Sequence, residues 1–154
     1  MSATFAKLNL KDQRQILVLQ SPQSFEGELT ALRGVEIVRD VRQAREIVFS
    51  LAFVMTQAEV DALAPAIARR SQGDAILWFA YPKGSSKRYR SQINRDNGWS
   101  VLGSEGFEPV RMVAIDEDWS AIRFRRNSFI KVMTRPKSHR LTERAKQPGR
   151  KRRK

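Results

Sequence analysis

The order of apolar segments predicts an α/β fold: a single-domain, three-layer α-β-α architecture with a mostly parallel sheet and a C-terminal antiparallel β-hairpin at one edge. Three observations carry that prediction. Apolar runs at residues 15–20, 47–55 and 75–81 read as strands buried on both faces. The segments between them have helical spacing and helix caps. Two further β-rich runs, 109–115 and 121–125, are separated by only a tight connection and therefore read as antiparallel. Strands alternating with helices imply right-handed crossovers, which put helices on both sides of the sheet.

Taken in order, residues 15–20 (QILVLQ) end at Ser21-Pro22, where a strand stops. Ser24 is placed to cap a helix whose Phe25, Leu29 and Leu32 fall at i, i+4 and i+7, with Glu26 and Glu28 early and Arg33-Gly34 at its end. Residues 35–38 (VEIV) make a second short strand, and Asp40 caps a brief helical turn through Ala44. Ile47 to Met55 is a central strand. Thr56-Gln-Ala-Glu59 has capping-box spacing and opens the clearest helix, with Val60, Leu63, Ala64 and Ile67 as its apolar stripe. Pro65 lies within that stripe and, lacking an N–H, predicts a kink or a split. Residues 75–81 (AILWFAY) form a buried strand that stops at Pro82. A helix from Asn94 or Asp96, carrying Trp99 and Leu102 and ending at Gly103 or Gly106, precedes the hairpin, whose strands are joined by Asp116-Glu-Asp-Trp119.

Composition divides the 154 residues into a domain over 1–134 and a basic tail over 135–154. The tail carries ten Lys and Arg against one acid, Glu143, so it holds +9 of the net +13 and leaves +4 for the domain. With only Leu141 and Ala145 as apolar side chains it cannot offset the entropy of ordering, and disorder is expected. Cysteine is absent, and the one histidine, His139, lies in the tail. Disulfides, thiolate catalysis, iron–sulfur clusters and Cys- or His-ligated zinc are thereby excluded, and a Ser-His-Asp arrangement would need the tail in place. Carboxylate, Lys, Tyr or Ser chemistry and an oxygen-ligated metal stay open. No run reaches the roughly 18 apolar residues of a membrane span, and the start lacks a basic region followed by an apolar one, so a cytoplasmic location is expected.

Ligands of open α/β sheets bind beyond the carboxyl ends of the strands. The turn after the first strand, Gln20-Ser-Pro-Gln-Ser24, has no glycine to let a backbone approach a phosphate, so no dinucleotide or methyl-donor cofactor is expected. The segment 81–90 (YPKGSSKRYR) is more suggestive. Lys83, Lys87, Arg88 and Arg90 supply cations, while Gly84, Ser85 and Ser86 supply donors for an anion. A solvated connection is the favoured reading of the same residues. A Ser-Lys pair of Lys83 with Ser85 or Ser86 lacks the apolar surroundings that would lower a lysine pKa. Asp116, Glu117 and Asp118, joined by Asp40 or Asp74, carry oxygens suited to a divalent metal, yet acids in a hairpin turn are ordinarily turn residues, and no metal site is expected. Trp119 reads as a cap over the core edge. Alternation along the last strand sets Ile122 and Phe124 on one face and Arg123 with Arg125 on the other, joined by Arg111. Those arginines form a basic patch or simply protect a sheet edge. Arg150, Lys151, Arg152, Arg153 and Lys154 complete the candidates for anion or nucleic-acid binding.

Residues 77–86 (LWFAYPKGSS), 107–119 (FEPVRMVAIDEDW) and 121–126 (AIRFRR) together resemble a group of small bacterial proteins built on a domain of unknown function. The likeness spans about Lys7 to Arg135 and excludes the tail. It implies a compact α/β domain of bacterial origin and transfers no catalytic residues.

Charge then directs the functional expectation: a non-catalytic accessory protein whose polybasic tail contacts nucleic-acid phosphates without reading sequence. The alternative is a small-molecule or phosphate-binding enzyme that uses the loop from Lys83 to Lys87 and a pocket lined by Trp78, Tyr81 or Trp99.

Overall fold

The computed structural model describes residues 3–130. The basic tail lies outside them, and with it Arg150, Lys151, Arg152, Arg153 and Lys154.

Six strands form one sheet: β1 (Gln15–Leu19), β2 (Glu36–Val38), β3 (Ile47–Phe53), β4 (Ser71–Pro82), β5 (Phe107–Ala114) and β6 (Trp119–Arg126). Their spatial order is β2-β1-β3-β4-β6-β5. The first four run parallel, and β6 pairs antiparallel with both β4 and β5. The mostly parallel sheet with a terminal hairpin at one edge is therefore present.

Alternation along the strands sorts the core into two halves. From β1, Leu17 and Leu19 face one side while Ile16 and Val18 face the other. The first side is covered by Val60, Ala64 and Ile67 of α3 (Gln57–Arg70) and by Leu102 of α4 (Ser100–Ser104). The second is covered by Phe5 of α1 (Ala3–Lys7), by Leu8, and by Leu29 of α2 (Glu26–Thr30) with Phe25 just before it. Strands such as β3 are buried on both faces because each side of the sheet has its own helical layer. These are the three layers that alternating strands and helices imply.

Local sequence explains most of the elements. Thr56 Oγ1 accepts from Glu59 N at 3.1 Å and Glu59 Oε1 accepts from Thr56 N at 3.1 Å, closing the capping box. Asp40 caps the 3-10 turn Val41–Gln43 by accepting from Arg42 N. Other segments depart from expectation. Pro65 does not split α3, which runs through it as a single helix of 14 residues. The carbonyl its missing N–H would have met belongs to Asp61, on the exposed side of the helix where water can replace the bond. Ser24 caps nothing: it sits inside the 3-10 turn Gln23–Phe25, and α2 begins only at Glu26. Gly27 and the bond from Thr30 Oγ1 back to Glu26 O keep that helix to five residues. The last helix starts at Ser100, not at Asn94 or Asp96. Asn94 Oδ1 accepts from Asp96 N and Asn97 N, which makes a side-chain-closed turn where a helix was expected. Next comes Gly98 at φ +105°, where a Cβ would collide with Ile93. β4 starts four residues earlier than its apolar run, because Ser71 pairs with Ile47 across an irregular stretch.

Replacing Pro65 by Ala should stabilise the chain by about 2 kcal/mol. That is the ~3 kcal/mol penalty of an interior proline less roughly 1 kcal/mol for the freer unfolded chain. Urea unfolding of Pro65→Ala checks this, and an unchanged midpoint would show that the helix already absorbs the ring.

Candidate small-molecule site at the strand ends

After β1 the chain turns outward to β2 and then returns past β1 to β3, so strand order reverses between β1 and β3. Beyond the carboxyl ends of these two strands, where such reversals leave a crevice, lies a cleft of about 360 Å³. Gln20, Pro22 and Gln23 enter it from the turn after β1, and Phe53 and Met55 from the end of β3. Glu59 of α3, Tyr89 and Trp119 complete its walls.

Glu59 organises the polar side. Its Oε1 accepts from Met55 N at 2.6 Å as well as from Thr56 N, and its Oε2 accepts from Gln20 Nε2 at 3.3 Å. Gln20 Nε2 also donates to Phe53 O at 2.7 Å. To make this bridge Gln20 adopts φ +58°, a left-handed conformation that costs a residue other than glycine about 1 kcal/mol or more. The glycine-free turn thus takes a glycine-like shape, with a side chain laid across the space a glycine would leave open.

The apolar side is aromatic. Trp119 meets Phe53 edge-on at 5.1 Å between ring centroids, and Tyr89 packs tilted against Trp119, also at 5.1 Å. Trp119 is only 3% exposed, and its indole N–H has no hydrogen-bond partner among the described residues. A buried donor left unpaired costs roughly 1–3 kcal/mol. Trp119 thus packs into the core edge as expected, and it also forms part of the cleft wall.

Next to the cleft, Glu26 ties the turn after β1 to the end of β2. Arg39 Nη2 donates to Glu26 Oε1 at 2.9 Å, and Ser21 Oγ donates to Glu26 Oε2 at 2.5 Å. The Arg39 guanidinium, helped by the Ser21 hydroxyl, holds the Glu26 carboxyl at a pKa of about 2. Asp40 is likewise drawn down to about 2 by the hydrogen bonds of the Arg42 side chain and backbone.

The loop singled out by its charge is built for another purpose. Ser86 Oγ donates to Asp118 Oδ1 at 2.8 Å and accepts from Arg88 N and Tyr89 N, so its hydroxyl is spent within the turn. Lys83 N donates to Asp118 O, and the Lys83 side chain is not the partner of Ser86. Gly84, Ser85, Lys87, Arg88 and Arg90 are exposed. What the loop delivers to the cleft is Tyr89. Asp116 Oδ1 accepts from Asp118 N and Trp119 N, which makes it a turn-closing residue. The pocket predicted around Trp78, Tyr81 and Trp99 is not there: all three are buried in the core, with Trp78 Nε1 donating to Leu8 O and Trp99 Nε1 to Asn94 O. Of the hairpin arginines, Arg125 pairs with Asp74 through two bonds of 2.8 and 2.6 Å, and Arg123 lies beside Asn9 on the α1 side of the sheet.

Solved structures share this fold. The chain matches a possible exported protein from Bordetella parapertussis with a TM-score of 0.55 at 12% identity, covering 80% of this chain and 65% of that one, so it spans under two thirds of that protein. A SAM dependent methyltransferase from Aquifex aeolicus matches with a TM-score of 0.53 at 12% identity, over 79% of this chain and 86% of that one. The N-methyltransferase NodS from Bradyrhizobium japonicum matches with a TM-score of 0.50, again at 12% identity, over 79% of this chain and 91% of that one. No protein-family model and no curated protein matches. The likeness is one of fold, the fold of methyltransferases. It overturns the expectation of a non-catalytic accessory protein contacting nucleic acid, and it favours the small-molecule alternative. Among the described residues no helix is long and apolar enough to cross a membrane.

The Glu26 carboxyl is depressed below its ordinary value of 4.5, so its ion pair supports folding above that pH and loses its effect as pH falls toward about 2. In Arg39→Gln that dependence should flatten. Thermal melts between pH 5 and pH 2 should show wild type losing more stability than the variant; parallel losses would mean that Arg39 and Glu26 do not interact in solution.

Proposed function

We propose that this protein is a small-molecule enzyme whose substrate occupies the cleft beyond β1 and β3. The observation that carries the reading is the position of that cleft at the reversal of strand order, with the fixed carboxylate of Glu59 on one side and the aromatic rings of Phe53, Tyr89 and Trp119 on the other. Support comes from the fold shared with methyltransferases.

The donor named for the Aquifex protein is not suited to this cleft if it is held as nucleoside cofactors generally are. Such a group needs open backbone in the first turn and a free acid at the end of the second strand for the ribose. Here Gln20 spans the turn to Phe53 and Glu59. The end of β2 offers Arg39, committed to Glu26, and Asp40, committed to Arg42.

The cleft's own side chains favour an organic substrate with an aromatic or apolar body and a cationic or hydrogen-donating group. Phe53, Tyr89 and Trp119 exclude water and hold the apolar body. Glu59 already has three N–H donors fixing its direction, and its Oε2, with a single long bond to Gln20, retains capacity for a substrate N–H. Orientation between a fixed carboxylate and rigid rings is the contribution such a site makes to a group-transfer reaction.

Tryptamine and indole-3-acetate, equal in aromatic body and opposite in charge, test this chemistry. Nitrogen-15 NMR titration should show tryptamine shifting the Glu59, Tyr89 and Trp119 signals at concentrations about tenfold lower than indole-3-acetate, one charge-assisted hydrogen bond apart. Glu59→Gln, which keeps the capping box, should remove the preference. S-adenosylmethionine should leave these signals unmoved. If neither indole compound perturbs the cleft, the reading is wrong.

A further inference from the structure

On the sheet face beneath α1, well away from the cleft, lies an arrangement that the fold itself does not require. Arg111 of β5 and Arg123 of β6 are directly opposite one another, a register in which like charges repel. Arg125, two residues along the same face, satisfies its guanidinium on Asp74. Arg123 has no such partner. Among the described residues no carboxylate comes within ion-pairing distance of Arg111 or Arg123. The Arg123 side chain makes one long hydrogen bond, 3.4 Å from Nη1 to Asn9 Oδ1, and its Nε is buried with no acceptor. Asn9 is itself held at φ +67° just after α1, where its amide meets the guanidinium.

A half-buried guanidinium opposite a second arginine, with no carboxylate in ion-pair contact, is more costly than an aliphatic side chain of similar length. Burial first, then the charge of Arg125 and more weakly that of Arg111, lowers the Arg123 pKa, while the Asp74 carboxylate, already paired with Arg125, opposes them. Edge protection accounts for Arg111, which is exposed on the outer strand, but not for Arg123 on the inner one. An anion beside the two would give both guanidinium groups the contacting negative partner that neither has among the described residues.

We propose that Arg111, Arg123 and Asn9 form a binding site for a phosphate group. Two planar guanidinium forks match the oxygens of a phosphate monoester, which carries close to two negative charges near neutral pH. A carboxylate has two oxygens and one charge, and would leave one fork unpaired. Asn9 Oδ1 already accepts from Arg123, which directs Nδ2 as a further donor for a ligand oxygen. Trp119 lies four residues up β6, about 13 Å at the rise of an extended strand, so this site and the cleft are separate.

Free phosphate and a phosphorylated metabolite share this chemistry. Isothermal titration of the full-length protein with inorganic phosphate and with phenyl phosphate, at ionic strength matched with sodium chloride, separates them. Saturable binding is expected, weakened about tenfold or more in Arg123→Gln and in Arg111→Gln through loss of charge-assisted hydrogen bonds. Tighter binding of phenyl phosphate assigns the site to a phosphorylated metabolite, and equal or weaker binding assigns it to phosphate itself. The proposal is overturned if both variants bind phosphate as wild type does, because the remaining basic residues would then be responsible. It is also overturned if matched chloride raises the melting temperature as much as phosphate, since that is screening of the Arg111–Arg123 repulsion alone. Should Arg123→Gln fail to fold, the exposed Arg111→Gln decides.

Discussion

The carboxylate of Glu59 joins three parts of the molecule at one point. One oxygen receives the backbone N–H groups of Met55 and Thr56, where β3 gives way to α3, and the other receives the amide of Gln20, which ends β1. The helix cap, the exit of the central strand and the turn after its neighbour are therefore fixed by the same group. Because β1 and β3 are the strands between which the order reverses, this interaction also sets the geometry of the cleft mouth. A capping-box glutamate is ordinarily a device of local stability. At this place in an α/β sheet it becomes a fixed charge at the one crevice the topology leaves open.

The two faces of the sheet divide the labour. The side under α3 and α4 is closed and aromatic: Phe79, Trp99 and Phe124 pack within 5.8 Å of one another, and Tyr81 is raised above its ordinary pKa by burial among them. The side under α1 and α2 is covered by two helices of only five residues each, with Phe5, Leu8, Phe25 and Leu29 buried against the sheet. That short cover leaves Tyr89 and Trp119 at one end of the face and the arginines at the other. The Trp119 indole N–H and Arg123 Nε, both without a hydrogen-bond partner among the described residues, lie on this side.

Sequence made legible whatever depends on neighbours in the chain. The capping box at Thr56 and Glu59, the Asp40 cap, the doubly buried strands and the hairpin around Asp116 all follow from spacing, and all are present. Segments were misread where a local rule met a competing local bond, as when the Asn94 side chain closed a turn at the expected helix start. Pro65 failed to break α3 because the lost bond lies on the wet side. α1 went unnoticed since five residues give too little period, although Phe5 and Leu8 at i and i+3 were a usable signal. The site was the least legible part. Charge drew attention to the 83–90 loop, but the pairing of Ser86 with Asp118, 32 residues away, and the approach of Gln20 to Glu59, 39 away, belong to tertiary structure.

The absence of glycine after β1 was read as a reason to expect no cofactor, and the structure gives that absence a positive meaning. Gln20 pays the conformational cost that glycine would avoid and gains in return two hydrogen bonds that only a side chain can make. The left-handed glutamine at the head of the crevice trades backbone access for a polar bridge, while the end of β2 carries Arg39, a cation already paired to Glu26. Both features limit the room and the hydrogen-bonding complement for a nucleoside, and neither disturbs the layers beneath. The layers do not depend on what lines the crevice, because the residues that build the sheet and those at the strand ends lie on separate stretches of chain.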